Sequence, residues 1–389
     1  MRIGLISGEY PPMEGGVGDF THLLGRALHE AGHEVHVLTS REPMTVPAPQ
    51  EEDGLFIHRH PLRWGPRCGA AIAAWAESQR LDILNLQYQA AAYRLRGWIN
   101  LAPRLSRRRR RIPWVTTFHD LLPPYLFPKA GRLRQEAVWT LARFSEGIIA
   151  TNGEDTHRLR EELGERLPPL RTIPIGSNIA PAPPPGFDPQ SWREAHGLPR
   201  GALLLGFFGF LNRSKGIETL LEAMARLRDE GHPVYLALIG GRTGSSDATN
   251  RAYAEAVEAR IARLGLEKRL LRTGFAAPQE VSAALLSCDL CVLPYRDGAS
   301  LRRGTLHAAL AHGCAVLTTE PRFPLPELTQ AVALVPPERP DALHDAILRL
   351  WRDRAERARL RRAAADLARR FTWEAIAERT AAFFRELRG

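Results

Sequence analysis

Short apolar runs alternate with amphipathic stretches along this chain, twice over, on either side of a proline-rich break. That alternation marks βαβ units and restricts the fold to parallel sheets covered by helices, an α/β class. In the first half, 3–7 reads as a strand, followed by a glycine-rich loop. Phe20, Leu23, Leu24, Ala27 and Leu28 then repeat at helical spacing until Gly32. Further strands are predicted at 35–39, 83–86, 114–118, 147–150 and 171–173. Pro181, Pro183, Pro184, Pro185, Pro189 and Pro199 mark a linker. The second half restarts at 203–209, a nearly continuous apolar run suited to burial on both faces. Strands follow at 234–239, 270–273, 290–294, 315–318 and 332–335, and a helix closes the chain at 373–387. The expected organisation is a first domain over 1–178, a linker over 179–199, a second domain over 200–371, and a last helix, 372–389, returning to the first domain.

A length of 389 residues accommodates two such domains, and 44% hydrophobic with 25% charged residues excludes wholesale disorder. Lys plus Arg total 53 against 43 Asp plus Glu, a formal net charge of +10. Only Lys129, Lys215 and Lys268 are lysines, so each is conspicuous. Cys68, Cys288, Cys291 and Cys314 are too few for a disulfide scaffold. Cys288 and Cys291 read as buried core residues, since Cys291 opens an apolar run, and no second pair completes a zinc site. No apolar run approaches the ~18 residues of a membrane span, and the opening residues do not read as a signal peptide. The expected location is cytoplasmic.

Four segments carry candidate chemistry, each at the carboxyl end of a predicted strand, where doubly wound sheets bind ligands. The first runs from Gly8 through Gly15, Gly16, Val17 and Gly18. Its glycines allow close backbone approach, and the following helix start offers free N–H groups. It lacks the G-x-G-x-x-G spacing of a dinucleotide site. The second is Thr116-Thr117-Phe118-His119-Asp120, where His119 is placed to donate a hydrogen bond to a sugar or phosphate oxygen. The third, Gly206 to Gly216, ends in Arg213-Ser214-Lys215-Gly216 before a helix. This is an anion-binding layout without the Walker A spacing. The fourth joins Pro294 to a helix through Asp297, Ser300, Arg302, Arg303, Gly304 and Thr305, where Arg302, Arg303 and the helix-start N–H groups of Gly304 and Thr305 are suited to a diphosphate.

In this order, these segments resemble glycosyltransferase family 4 of the retaining GT-B enzymes. The matching residues are Glu9-Tyr10-Pro11-Pro12 with Gly15-Gly16-Val17-Gly18, Thr117-Phe118-His119-Asp120, Ile173-Pro174-Ile175-Gly176, and Lys215-Gly216 before Glu222-Ala223. Leu238-Ile239-Gly240-Gly241, 289–294, Ala311-His312-Gly313 and Phe371-Thr372-Trp373-Glu374 also match. The resemblance implies two Rossmann-like domains facing a cleft. It also implies transfer of a sugar from a UDP- or GDP-linked donor to a glycan or lipid-linked acceptor, with retained configuration and no obligatory metal or other cofactor. The second domain would bind the donor through Arg213, Lys215, Ser300, Arg302, Arg303, Gly304 and Thr305. Gly15, Gly16, Val17 and His119 would close over sugar and phosphate. His119, Asp297 and Lys215 are the implied catalytic groups.

Two departures stand out. Counted back from Ala311-His312-Gly313, the Glu-x7-Glu pair usual in the family falls on Ser300 and Ala308, and Asp297 is the nearest carboxylate. The Arg that often follows the second-domain glycine is Phe210, with Arg213 as a shifted substitute. Altered donor recognition is the reading these departures favour. A non-catalytic sugar-nucleotide or glycan binder and a fold-related epimerase are the alternatives.

Arg94, Arg96, Arg104 and the run Arg107 to Arg111 cluster near Trp98, Ile99 and Leu101. With Tyr125, Phe127, Lys129 and Arg132 they suggest a patch for an anionic membrane surface, hence peripheral association with the inner membrane face. The chain shows no recognised nucleic-acid-binding motif, and no specific nucleic-acid partner is expected.

Overall fold

The computed structural model describes residues 1–13, 15–40, 50–60, 64–106, 112–124, 131–241, 248–274 and 276–389. The chain divides into two compact units. One comprises Met1–Gly176 with Thr372–Gly389, the other Ser177–Phe371.

Among the described residues, eight strands form the sheet of the first unit: β1 (Arg2–Ile6), β2 (Glu34–Ser40), β3 (Gln50–Glu52), β4 (Leu55–His60), β5 (Ile83–Tyr88), β6 (Trp114–Phe118), β7 (Gly147–Ala150) and β8 (Leu170–Thr172). Their order is β3-β4-β2-β1-β5-β6-β7-β8, parallel except where β3 meets β4. The sheet grows outward in both directions from the β1–β5 pair, so a topological switch point lies at their carboxyl ends. β3 and β4 escaped the sequence reading. They are joined by Asp53 and Gly54, both at positive φ (51° and 76°), the tight-turn dipeptide that favours a hairpin.

The last helix, Trp373–Arg388, belongs to this unit and packs on the helix Gly16–Glu30. Thr372 caps its start, its hydroxyl accepting from Ala375 N at 3.3 Å. Phe383 and Phe384 are buried with Ile3, Leu24 and Val115. Each aromatic ring removed from water contributes roughly 1.5–3 kcal/mol. Gly147 of β7 makes this approach possible, since a Cβ there would stand 2.3 Å from Leu387 Cδ1 and 3.0 Å from the Phe383 ring.

In the second unit, the described strands are β9 (Leu203–Phe208), β10 (Val234–Ile239), β11 (Leu270–Gly274), β12 (Leu290–Leu293), β13 (Val316–Thr319) and β14 (Ala333–Val335). All pair in parallel, in the order β11-β10-β9-β12-β13-β14. The switch point is at β9 and β12. The proline-rich stretch read as a linker lies within this unit and carries a helix of its own, Pro189–Ala195. Asp188 caps it through Ser191 N at 2.6 Å, Pro189 supplies a first-turn position that needs no N–H, and the helix packs on Pro278–Ser287. All four cysteines are buried free thiols.

Candidate active site

The carboxyl ends of β9 and β12 bring the third and fourth segments together. Gly216, at φ 65°, lies so close under the loop after β12 that a Cβ there would meet the Pro294 carbonyl oxygen at 2.1 Å. Arg296 N donates to the Ser214 carbonyl at 3.0 Å, and Arg303 Nη1 donates to Ser214 Oγ at 3.1 Å. Arg303 lies over the Tyr295 ring, 4.8 Å from its centroid, and its Nη2 reaches both oxygens of Asp297. The Tyr295 hydroxyl pairs with Thr305 Oγ1 at 2.7 Å.

Lys215 completes the cluster. A Cβ on Gly209, at φ 107°, would meet Lys215 Nζ at 2.2 Å and Thr305 Cγ2 at 2.7 Å, so the ammonium lies against the glycine and near the start of the helix Gly304–Ala311. Burial, reinforced by the charge of Arg303, pushes the Lys215 pKa down to about 8. Among the described residues, no carboxylate pairs with it. Two cations and the amide end of a helix thus converge, with one carboxylate against them. That imbalance favours an anionic ligand.

The other sequence candidates fall around this cluster. Gly304 opens the helix with nothing within 4 Å of a Cβ placed there. Ser300 and Arg302 are half-buried in the preceding turn, and the Ser300 carbonyl accepts from Arg303 N at 3.1 Å. Arg213 is exposed and acts electrostatically on Tyr253, so it is not built into the cluster. Phe210 is 42% exposed, and Ala308 is fully buried. Asp297, expected as a catalytic group, has both carboxylate oxygens engaged by Arg303 Nη2 in the ligand-free protein.

In the first unit, the glycine-rich loop follows β1. The helix start was expected to offer free N–H groups, and two of them are taken by Glu9, a residue of this motif to which the sequence reading gave no role. Glu9 Oε1 accepts from Val17 N at 3.0 Å and Gly18 N at 3.3 Å. Its carboxylate lies over Gly15, where a Cβ would stand 2.2 Å away, so a side chain at this position would push the carboxylate aside. Burial raises the Glu9 pKa, and the two amide hydrogen bonds oppose that shift. Gly16 has open space around it.

His119 leaves the end of β6, its backbone N donating to the Tyr88 carbonyl at 3.0 Å. Its ring meets Phe20 edge-on at 4.6 Å, and Phe20 meets Trp373 at 5.3 Å. Burial keeps the imidazole neutral, with its pKa pushed down to about 3. Its Nε2 lies 3.0 Å from Gln87 Oε1. Asp120 holds its own turn, accepting from Leu122 N at 3.1 Å and Gln89 Nε2 at 3.0 Å. The described residues contain no cluster of His, Cys, Asp or Glu arranged to hold a metal ion.

The family model described as Glycosyltransferase Family 4 matches residues 14–180, and that described as Glycosyl transferases group 1 matches residues 202–353. The chain is 25% identical to the D-inositol 3-phosphate glycosyltransferase of Kribbella flavida, over 99% of this chain and 95% of that protein. It is 25% identical to the 2-deoxystreptamine glucosyltransferase of Streptomyces kanamyceticus, over 70% of this chain and 73% of that one. Among solved structures, sucrose-phosphate synthase from Thermosynechococcus elongatus superposes with a TM-score of 0.75 at 22% identity, covering 100% of this chain and 99% of that one. Anabaena HepE in complex with UDP-glucose gives 0.72 at 20% identity, covering 99% and 100%.

Proposed function

Because this chain belongs to the family 4 glycosyltransferases of GT-B fold, we propose that it moves a hexosyl group from a UDP- or GDP-linked donor to a glycan or lipid-linked acceptor, with retention of configuration and without an obligatory metal. The observation that carries this reading is the Lys215 ammonium, buried beside Arg303 and the Gly304 helix start. In the transfer, the bond from the anomeric carbon to the diphosphate oxygen breaks, and the acceptor oxygen forms the new bond as its proton leaves. Negative charge grows on the departing diphosphate, and fixed cations with helix amides stabilise it where it develops. Anabaena HepE, with UDP-glucose bound, supports a UDP-linked donor. The test is release of UDP or GDP from UDP-glucose or GDP-mannose, with and without a panel of glycan and lipid-linked acceptors. Release that depends on acceptor supports transfer. Binding with no release under any acceptor supports the non-catalytic alternative.

The acceptor side of the proposal includes an anionic membrane. Leu95, Trp98, Leu105, Leu122 and Leu133 are 43–63% exposed. They lie on or beside the helices Trp98–Ser106 and Arg132–Arg143, which pack together, with Arg94, Arg96 and Arg104 in the same segment. Exposed apolar side chains beside arginines suit the headgroup boundary of anionic lipid. Arg107 to Arg111 and residues 125–130 of the sequence patch lie outside the described residues. No described helix is long and apolar enough to cross a membrane. Co-sedimentation with anionic but not neutral vesicles is the expected result.

A further inference from the structure

Behind His119 runs a ladder of buried side chains that the reaction, as proposed above, does not use. β5 and β6 pair in parallel with Asn85 opposite Val115 and Gln87 opposite Thr117. Asn85 and Gln87 are fully buried, and Thr117 is 2% exposed. Amides in such a place are retained only with their hydrogen bonds made.

The ladder has a direction, fixed at its far end. The Val115 backbone carbonyl can only accept, so the group facing it at 3.4 Å is the Asn85 NH2, which also donates to Thr117 Oγ1 at 2.9 Å. Asn85 Oδ1 therefore faces Gln87 and accepts from Gln87 Nε2. That leaves Gln87 Oε1 toward His119, and an amide oxygen only accepts. The His119 nitrogen opposite it, Nε2 at 3.0 Å, must carry the proton. In a neutral ring the other nitrogen, Nδ1, then has the lone pair.

We propose that Gln87, oriented by Asn85, is a positioning residue that fixes His119 as the Nε2–H tautomer and makes Nδ1 a hydrogen-bond acceptor toward the ligand. The group His119 reads is then a hydroxyl of the sugar or acceptor, and not a phosphate oxygen, which has no proton to give at neutral pH. This reverses the polarity expected from the sequence, where His119 was to donate. The inference rests on the glycosyl-transfer reading only for what meets Nδ1. The tautomer itself is a property of the free protein.

Two arms test it. Long-range nitrogen–proton NMR of the full-length, ligand-free protein reads the His119 tautomer directly. The wild type is expected to show Nε2–H and an unprotonated Nδ1 from pH 6 to 9, a range chosen well above the depressed pKa. Gln87→Met removes the acceptor, and a mixture of tautomers is expected. Gln87→Glu keeps an acceptor in place and adds a charge. It should retain Nε2–H and raise the protonation midpoint of His119 by about one to three pH units. If Gln87→Met does not fold, the Gln87→Glu arm alone decides. Wild-type His119 with its proton on Nδ1, a Gln87→Met ring still wholly Nε2–H, or no midpoint shift in Gln87→Glu overturns the proposal. The second arm measures turnover of UDP-glucose. Gln87→Met should lower kcat about tenfold with UDP affinity within twofold, and Gln87→Glu should recover much of that loss above its raised midpoint. Equal loss in both variants contradicts a positioning role. If the wild type does not consume UDP-glucose, the donor assignment fails, and the NMR arm stands unaffected.

Discussion

A single nitrogen of Arg303, Nη2, reaches both carboxylate oxygens of Asp297, while Nη1 holds Ser214 at 3.1 Å and the guanidinium lies over Tyr295. The arginine is fixed from three directions and 16% exposed, so its orientation is set before any ligand arrives. Asp297 is part of that frame. Asp297→Asn should weaken UDP binding about tenfold, in line with loss of a charge-assisted hydrogen bond, and leave kcat at saturating donor within a few-fold. Were Asp297 a group that touches the reacting atoms, kcat would collapse while UDP affinity held. Calorimetric titration alongside steady-state kinetics separates the two.

The Lys215 ammonium gives a pH dependence with a definite sign. Its pKa in the free protein is about 8, so it is charged below that value and neutral above it. UDP affinity should be flat up to about pH 7 and fall beyond 8, approaching a tenfold loss per pH unit as one proton must be taken up with the ligand. The effect on folding runs the other way. Because the folded pKa is lowered from 10.5, the unfolded chain binds more protons between about 8 and 10.5, and this group makes stability rise with pH there. An affinity independent of pH from 7 to 9.5 would remove the ammonium from the binding site.

Gly209 tests the same cluster sterically. Its φ of 107° disfavours any side chain, and a Cβ would meet Lys215 Nζ at 2.2 Å and Thr305 at 2.7 Å. Gly209→Ala should displace the ammonium, lower UDP affinity at least tenfold and destabilise the second unit by about 1–3 kcal/mol. Thermal unfolding with and without UDP reports both effects. A variant stabilised by UDP as much as the wild type would show that Lys215 lies elsewhere when ligand is bound.

Glu9 makes a separable prediction in the first unit. It caps the helix Gly16–Glu30 through Val17 and Gly18, with the carboxylate near the positive end of the helix. Glu9→Ala should cost about 0.5–2 kcal/mol, and Glu9→Gln less, because the amide oxygen still accepts. Chemical denaturation at neutral pH checks the order. Equal stability of all three proteins would mean the cap contributes nothing in solution.

Much of this architecture could be read from periodicity. The β6, β7 and β10 boundaries match the apolar runs, and the others lie within about two residues. The β3–β4 hairpin was missed although Asp53-Gly54 announced it, because only the six-residue β4 carries alternation and β3 is three charged or polar residues. The Lys215, Arg303, Gly304 and Thr305 cluster was legible because each residue lies in a strand–loop–helix turn whose position follows from the sheet order. Glu9 and Gln87 were not. Glu9 meets Val17, eight positions further along the chain, only through the way the intervening loop turns back, and Gln87 meets His119 only through the β5–β6 register, a relation between residues 32 apart in the chain. The Asp297–Arg303 pair was not legible either: which cation Asp297 meets depends on the turn Ser300–Arg303, not on spacing.

Titration of UDP and of uridine into the wild type and Lys215→Ala tests most directly whether the second unit holds a diphosphate through Lys215. The wild type should bind UDP much more tightly than uridine, and Lys215→Ala should lose at least tenfold in UDP affinity while its uridine affinity is unchanged, with turnover falling by ~10²–10³. A Lys215→Ala protein that binds UDP as the wild type does, and turns over normally at saturating donor, would contradict it.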